Sequence, residues 1–272
     1  MNKESFFISQ FQNRYIGDDG AVVGEWVYSK DAFFEGVHFK RSWIECYEIA
    51  RKAMLVNISD AIAMNATPKY ALLSVAMPKD ISKEQMRELA SGFESVASEF
   101  DIKIVGGDTL SNTKLDITVT IISSVTKPLY RKGIKEGMFF AYTGKLGDSA
   151  KELKKLFRGA EIHKQSKFTN IKLRRRFVKH SQRVLAAGMD ISDGLGDDLG
   201  KITSLNGVGV EFVKKLPKQL LCSGEEYEML IAFDKRNIKA LKRRAAQTRT
   251  PLHIFAKAVR GKYKNRCSAH HF

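Results

Sequence analysis

The residues of this chain with the most chemistry to offer are aspartates placed where strands or apolar segments break off. Asp18 and Asp19 lie in Gly17-Asp18-Asp19-Gly20, and Asp31 follows Trp26-Val27-Tyr28. Asp60 ends Asn57-Ile58-Ser59-Asp60 within an apolar helical stretch, Asp108 follows Val105-Gly106-Gly107, and Asp190 and Asp193 frame Met189-Asp190-Ile191-Ser192-Asp193-Gly194. A short carboxylate among apolar residues is costly unless its charge is met. Two carboxylates about 4 Å apart repel by roughly 4 kcal/mol at an effective dielectric of 20, so a converging set requires a cation. Magnesium suits such a set, because it is a hard ion that takes carboxylate and phosphate oxygens together. Taken singly, each aspartate reads first as a helix cap or turn residue. Asp60 resists that reading, since aspartate has poor propensity inside a helix and its neighbours are apolar.

Other devices for handling nucleotides are missing from the sequence. No Gly-x-x-x-x-Gly-Lys-Ser/Thr string occurs, no Gly-x-Gly-x-x-Gly follows a strand, and no protein-kinase catalytic-loop or metal-loop signature is present. No Ser/His/Asp or Cys/His arrangement for a covalent intermediate stands out. Cys46, Cys222 and Cys267 are odd in number and widely spaced, which argues against a disulfide framework and against a four-thiolate zinc site. Cys46 and Cys222 read as small core residues. His270 and His271 read as terminal tail, and Arg174-Arg175-Arg176 as a solvated helix face.

Alternating strand-like and helix-like segments must position the aspartates. Trp26–Tyr28 and Gly36–Phe39 read as short strands flanking a turn, residues 43–66 as a helix and Tyr70–Ala76 as a strand. Ser82 and Gln85 form a capping box ahead of Met86, Leu89, Ala90, Phe93, Val96, Ala97 and Phe100, which recur at helical spacing. A strand Ile102–Val105, a Gly106-Gly107 turn and a β-branched run Ile117–Val125 follow. Beyond Pro128 and Gly133 come a strand Phe139–Tyr142, a helix Ser149–Phe157, a very basic helix Lys172–Ala187, strands Val208–Val213 and Met229–Phe233, a helix capped by Asp234 and running through Ala246, and a strand Leu252–Ala256. The pattern is α/β or α+β in two domains, divided as 1–130 and 131–272.

The 272 residues, 43% hydrophobic and 28% charged, have the composition of a folded globular protein. No run approaches the roughly 18 apolar residues of a membrane span, and Met1-Asn2-Lys3-Glu4-Ser5 lacks a secretion signal, so a cytoplasmic location is expected. The net charge of +16 is uneven: residues 1–136 carry 17 basic and 18 acidic side chains, residues 137–272 carry 29 and 12. That asymmetry fits a lysine-rich soluble face or attraction of a polyanionic nucleotide. A nucleic-acid-binding protein is the rival from another class, but it leaves the aspartates unexplained and lacks the aromatic-basic motif of an RNA-recognition module.

Several of these segments, in order, resemble the thiamine-monophosphate kinase family. They are Gly17–Val23, Ser29-Lys30-Asp31 with Glu35–Phe39, Val56–Met64, Gly106–Thr109, Thr143–Ala150, Asp190–Leu195 and Gly224–Glu228. The resemblance implies the two-domain α/β fold shared with aminoimidazole ribonucleotide synthetase, with an N-terminal sheet domain that pairs across a homodimer and a C-terminal α/β domain. It implies ATP in a cleft between the domains and direct transfer of the γ-phosphoryl group to thiamine monophosphate. Asp19, Asp31, Asp60, Asp108, Asp190 and Asp193 would hold Mg2+. Gly107, Asp108, Arg131 and Ser192 would contact ATP, and His38 and Glu225 would face the thiamine phosphate. A phosphate acceptor is ionised near neutral pH, so no side-chain base is required.

The chain departs from the family pattern at Lys30, where the family has Thr, at Glu226, where it has Asp, at Met138, where it has Asp, and at Ala269, where an aromatic stands. Aminoimidazole ribonucleotide synthetase-like chemistry is the alternative within the superfamily. Selenophosphate synthetase would need a reactive Cys near the N-terminus, and residues 1–20 contain none.

Overall fold

A computed structural model describes residues 3–267 of the chain. Met1, Asn2 and Ser268–Phe272, which include Ala269, His270 and His271, lie outside the described residues. The first half runs α1 (Lys3–Ile8), β1 (Ala21–Val23), β2 (Trp26–Phe34), α2 (Cys46–Ala63), β3 (Thr67–Pro78), α3 (Lys83–Phe100), β4 (Lys103–Asn112) and β5 (Asp116–Ser124). The second half runs β6 (Phe139–Thr143), α4 (Asp148–Phe157), α5 (Arg175–Ser181), β7 (Ala187–Asp190), α6 (Leu195–Asn206), β8 (Gly209–Phe212), α7 (Lys218–Leu221) and β9 (Met229–Phe233). A 3-10 turn (Lys235–Asn237), α8 (Ile238–Gln247) and β10 (Leu252–Val259) complete it.

Each half builds one five-stranded sheet, ordered β1-β2-β5-β3-β4 in the first and β7-β9-β6-β10-β8 in the second. Among the described strand pairs only β3–β4 is parallel, and α3 makes the crossover it needs. Strand β5 shows why the first sheet has two different faces. Ile117, Val119, Ile121 and Ser123 alternate inward while their neighbours face outward.

Helix α2 is the centre of the molecule. Of its 18 residues 14 are buried, so it is apolar almost all round, as a helix covered on every side must be. It packs against α3 and against β2 and β5 of the first sheet, and it also reaches β7 of the second. One core accordingly joins Phe33, Ile58 and Ile121 to Ile231, Phe233 and Leu241. Helix α3 begins with the expected capping box, Ser82 accepting from the Gln85 N–H at 3.1 Å and Gln85 accepting from Ser82 N–H at 3.0 Å. A second core lies between α6 and the second sheet.

The structure corrects several local expectations. Gly36–Phe39 is not a strand: β2 runs unbroken to Phe34, and a single Glu35–Phe39 bridge closes the loop after it. Gly106 and Gly107 make no turn but lie inside β4, where Gly107 has φ +153° and a Cβ would meet the Leu73 carbonyl oxygen at 1.6 Å. Close strand approach, not chain reversal, requires glycine there. The basic helix spans only Arg175–Ser181, because residues from Ala187 enter β7. Among the described residues, no helix is long and apolar enough to cross a membrane.

Candidate active site

The aspartates converge because four segments meet at one place, and Asp31, expected just after a strand, lies inside β2. The loop before β1 carries Asp18 and Asp19, β2 carries Asp31 on the face toward α2, and α2 carries Ser59 and Asp60. Asp190 ends β7, and the segment leading into α6 carries Ser192 and Asp193. These aspartates and Ser192, with Arg131, His38 and Glu225, line a cavity of about 570 Å³, within the size range of small-molecule sites.

Carboxylate oxygens of Asp19, Asp60 and Asp190 lie within 4.8 Å of one another. Neighbours hold each in place. Ser59 Oγ donates to Asp190 Oδ2 at 2.7 Å, and the Asp31 N–H donates to Asn57 Oδ1 at 2.6 Å. Arg131 Nε donates to Asp19 Oδ1 at 3.2 Å, while the Arg131 backbone N–H donates to Asp18 Oδ1 at 2.6 Å. Asp19 Oδ2 is buried and accepts no hydrogen bond.

This crowding disfavours full ionisation. Burial, and then the charge of Asp19, raise the Asp31 carboxyl to about 6, against a hydrogen bond with Asp60. Burial and Asp19 likewise raise Asp190 to about 8, although the Ser59 hydroxyl favours its charged form. Asp60 is held well above the ordinary carboxylate range by burial and by Asp31 and Asp190. Burial would lower the Arg131 guanidinium, but the charge and hydrogen bond of Asp19 more than reverse that. One guanidinium does not neutralise so many carboxylates. An all-oxygen donor set, part-buried and short of positive charge, fits a hard divalent ion.

His38 and Glu225, which also line the cavity, have partners of another kind. The His38 ring stacks on Phe33 with centroids 5.4 Å apart, and its Nδ1 accepts from the Phe34 N–H at 3.0 Å. A neutral His38 therefore carries its proton on Nε2. Glu225 sits in a left-handed backbone conformation, φ +53°, and its carboxylate is fixed 2.8 Å from the ammonium of Lys52. Lys52 is fully buried on α2, with its ammonium 3.4 Å from the centre of the Phe168 ring. Burial lowers the Lys52 pKa and Glu225 opposes that.

Gly107 and Asp108 are not brought to this cavity. Asp108 is exposed on β4, in register with Ser74, Thr118 and Ala32 across the sheet. It therefore stands on the face opposite Asp31 and three strands, about 14 Å, away. Asp193 lines the cavity but is paired with Lys201.

Lys52, Asn57, Ser59 and Lys201 were not singled out from the sequence. Asn57 and Ser59 lie in the Val56–Met64 motif beside Asp60, where buried polar side chains on an apolar helix are the available signal. Arg174 is not on a solvated face: it donates twice to Glu228, at 2.7 and 2.6 Å, and Glu228 also accepts from Thr143 Oγ1 at 2.7 Å. Glu226 accepts from the Gly147 N–H at 2.7 Å, so the Thr143–Ala150 and Gly224–Glu228 motifs lock to each other. Cys222 is likewise not a lone core residue but is disulfide-bonded to Cys267, across 45 positions of sequence. The segment after β10 returns to α6 and α7 and brings the two together, a juxtaposition that spacing along the chain does not reveal.

Fold and site together define a protein of the AIR synthase related class, whose N-terminal domain description matches residues 17–125. Thiamine-monophosphate kinase of Aquifex aeolicus is 30% identical over 252 residues, 82% of each chain. Thiamine-monophosphate kinase of Leptospira interrogans is 30% identical over 247 residues, covering 82% of this chain and 78% of its own. Among solved structures, AaThiL complexed with AMPPCP and TMP superposes with a TM-score of 0.86 at 25% identity, covering 97% of this chain and 93% of that one. The chain belongs to the thiamine-monophosphate kinase family.

Proposed function

We propose that the protein phosphorylates thiamine monophosphate at the expense of ATP and magnesium, giving thiamine diphosphate and ADP. The observation that carries this reading is the meeting of Asp19, Asp31, Asp60, Asp190 and Arg131 in one cavity with His38 and Glu225. An oxygen of the substrate phosphate attacks the γ-phosphorus of ATP, the bond to the β–γ bridging oxygen breaks, and ADP leaves with that electron pair. Both reactants are anions, so alignment and charge neutralisation supply most of the catalysis.

Asp19, Asp31, Asp60 and Asp190 are the residues that would hold magnesium, which when bound offsets the charge of the polyphosphate. Arg131 and Ser192 are placed to contact the nucleotide, and Asp19 keeps the Arg131 guanidinium oriented. His38, whose Nδ1 accepts from the Phe34 N–H, and Glu225, held by Lys52, would face the thiamine phosphate. Asp108 and Gly107 enter the reading through a second copy. Asp108 lies on the open, partly apolar face of the first sheet, with Gly107 next to it in β4, and a homodimer formed through that face would present them to the partner's nucleotide. The halves 1–130 and 131–272 act as the two domains, and the cytoplasm, where ATP is made available, is the location we assign.

Incubating the protein with ATP, MgCl2 and thiamine monophosphate, and separating products by chromatography, tests the reading. Stoichiometric ADP and thiamine diphosphate are expected. ADP release with the substrate of aminoimidazole ribonucleotide synthetase, and none with thiamine monophosphate, would overturn it.

A further inference from the structure

A second group of carboxylates stands beside the first. Asp193, just before α6, and Asp197 and Asp198, in its first turn, bring carboxylate oxygens within 4.8 Å of one another. Asp198 is fully buried, and neither of its oxygens accepts a hydrogen bond. Three negative groups so close require a positive one.

Here the chain supplies it. Lys201, one turn further along α6, contacts Asp193 directly, and its ammonium lies 3.5 Å from Asp198 Oδ1 and 3.8 Å from Asp197 Oδ2. A third of its side chain, 34%, remains exposed, and that part lines the same cavity as Asp19, Asp31, Asp60 and Asp190. The first group is unlike the second in this respect. Among the described residues, no ion pair joins Asp31, Asp60 or Asp190 to a lysine or arginine. The first group thus has one cation, Arg131, which contacts Asp19 alone, whereas Lys201 contacts every member of the second.

We propose that Lys201 is a built-in cation of the cavity: its ammonium closes the Asp193–Asp197–Asp198 cluster to a divalent ion and presents a remaining N–H to a phosphate oxygen of the nucleotide. An ammonium has three donors, and of its three carboxylate contacts only that to Asp193 is a hydrogen bond. A divalent ion entering there would have to displace a tethered charge already in contact with the carboxylates. Lys201 is then a positioning residue for the nucleotide, and the number of bound divalent ions is smaller than the number of clustered carboxylates would allow. This inference rests on the nucleotide reading above, so its test does not depend on turnover.

Manganese binding to the full chain, counted from the electron paramagnetic resonance of the free ion, separates the possibilities. Lys201→Met is expected to bind one more Mn2+ than the unaltered protein. Measured without divalent ions, its affinity for AMPPCP is expected to fall about tenfold, the effect of one charge-assisted hydrogen bond. Lys201→Arg, which keeps the charge, is expected to resemble the unaltered protein in ion count. A thermal melt checks folding, and Lys201→Gln carries the same comparison if Lys201→Met does not fold. An unchanged manganese count, or an unchanged affinity for AMPPCP, overturns the proposal. Absence of thiamine diphosphate formation by the unaltered protein overturns the functional reading instead, and leaves the manganese comparison standing.

Discussion

At the scale of single residues, the site is a set of charges that the fold tolerates only in part. Asp31 and Asp190, raised to about 6 and about 8 chiefly by burial, take up protons on folding that they would release in the unfolded chain. A folded pKa above the unfolded one gives stability that is complete below about pH 4, the unfolded value, and is lost as pH rises through the folded value. The melting temperature of the metal-free protein is therefore expected to fall from about pH 4 to about pH 8, and millimolar MgCl2 is expected to recover it at the upper end. A flat profile without magnesium would show that these carboxylates are ionised at no cost. Asp60→Asn removes a carboxylate at the centre of the cluster. It is expected to reduce the fall with pH while cutting the rate of ADP formation about a hundredfold, as loss of a metal-binding charge does. Unchanged turnover in that variant would remove Asp60 from the site.

At the scale of elements, the positions of these residues depend on how closely α2 is packed. Gly92 of α3 faces α2, and a Cβ there would meet the Tyr47 carbonyl oxygen at 2.4 Å and Ala50 Cβ at 2.8 Å. Gly92→Ala is expected to force the helices apart and cost about 1–3 kcal/mol in urea unfolding, the usual penalty of overpacking. Undiminished stability would mean that α3 moves freely. Helix α3 itself was legible in the sequence, because its cap and apolar period are local signals. Strand β9 was legible for the same reason, as an apolar run that matches its observed span, Met229–Phe233. The elements read less well are those set by distant partners. A pair of glycines marks a turn by default, yet Gly107 serves the approach of β4 to Leu73, a contact between strands separated by α3. The site shows the same division. Asp60 stood out as a carboxylate out of place on an apolar helix, while Asp19, Asp31 and Asp190 read singly as cap or turn residues and were picked out through the family resemblance. Lys52 and Lys201 were not, since a lysine on a helix reads as solvated until the fold shows it facing Glu225 or Asp193.

At the scale of the whole molecule, the first sheet has one face covered by α2 and α3 and the other open. On the open side Tyr28, Tyr70, Leu72, Val105 and Leu110 are each between 38% and 54% exposed, an apolar surface larger than scattered exposed residues explain. The same face carries Asp108, which a single chain leaves about 14 Å from the cavity, three strand spacings away. Both facts have one physical resolution if two chains bury this face against each other, removing apolar surface from water and moving Asp108 toward a neighbouring nucleotide. A stable pairing of this kind buries about 800 Å² per partner. Light scattering of the eluting protein is expected to give twice the mass of the chain, 30.7 kDa. Val105→Lys, which places a charge on β4 at the edge of the sheet, is expected to yield monomers and to lower kcat by at least about tenfold, because burying an unpaired charge opposes association. Leu205→Lys, at an exposed position of α6 in the second half, is expected to change neither. A fully active Val105→Lys monomer would show that each chain is complete by itself and that Asp108 takes no part in catalysis.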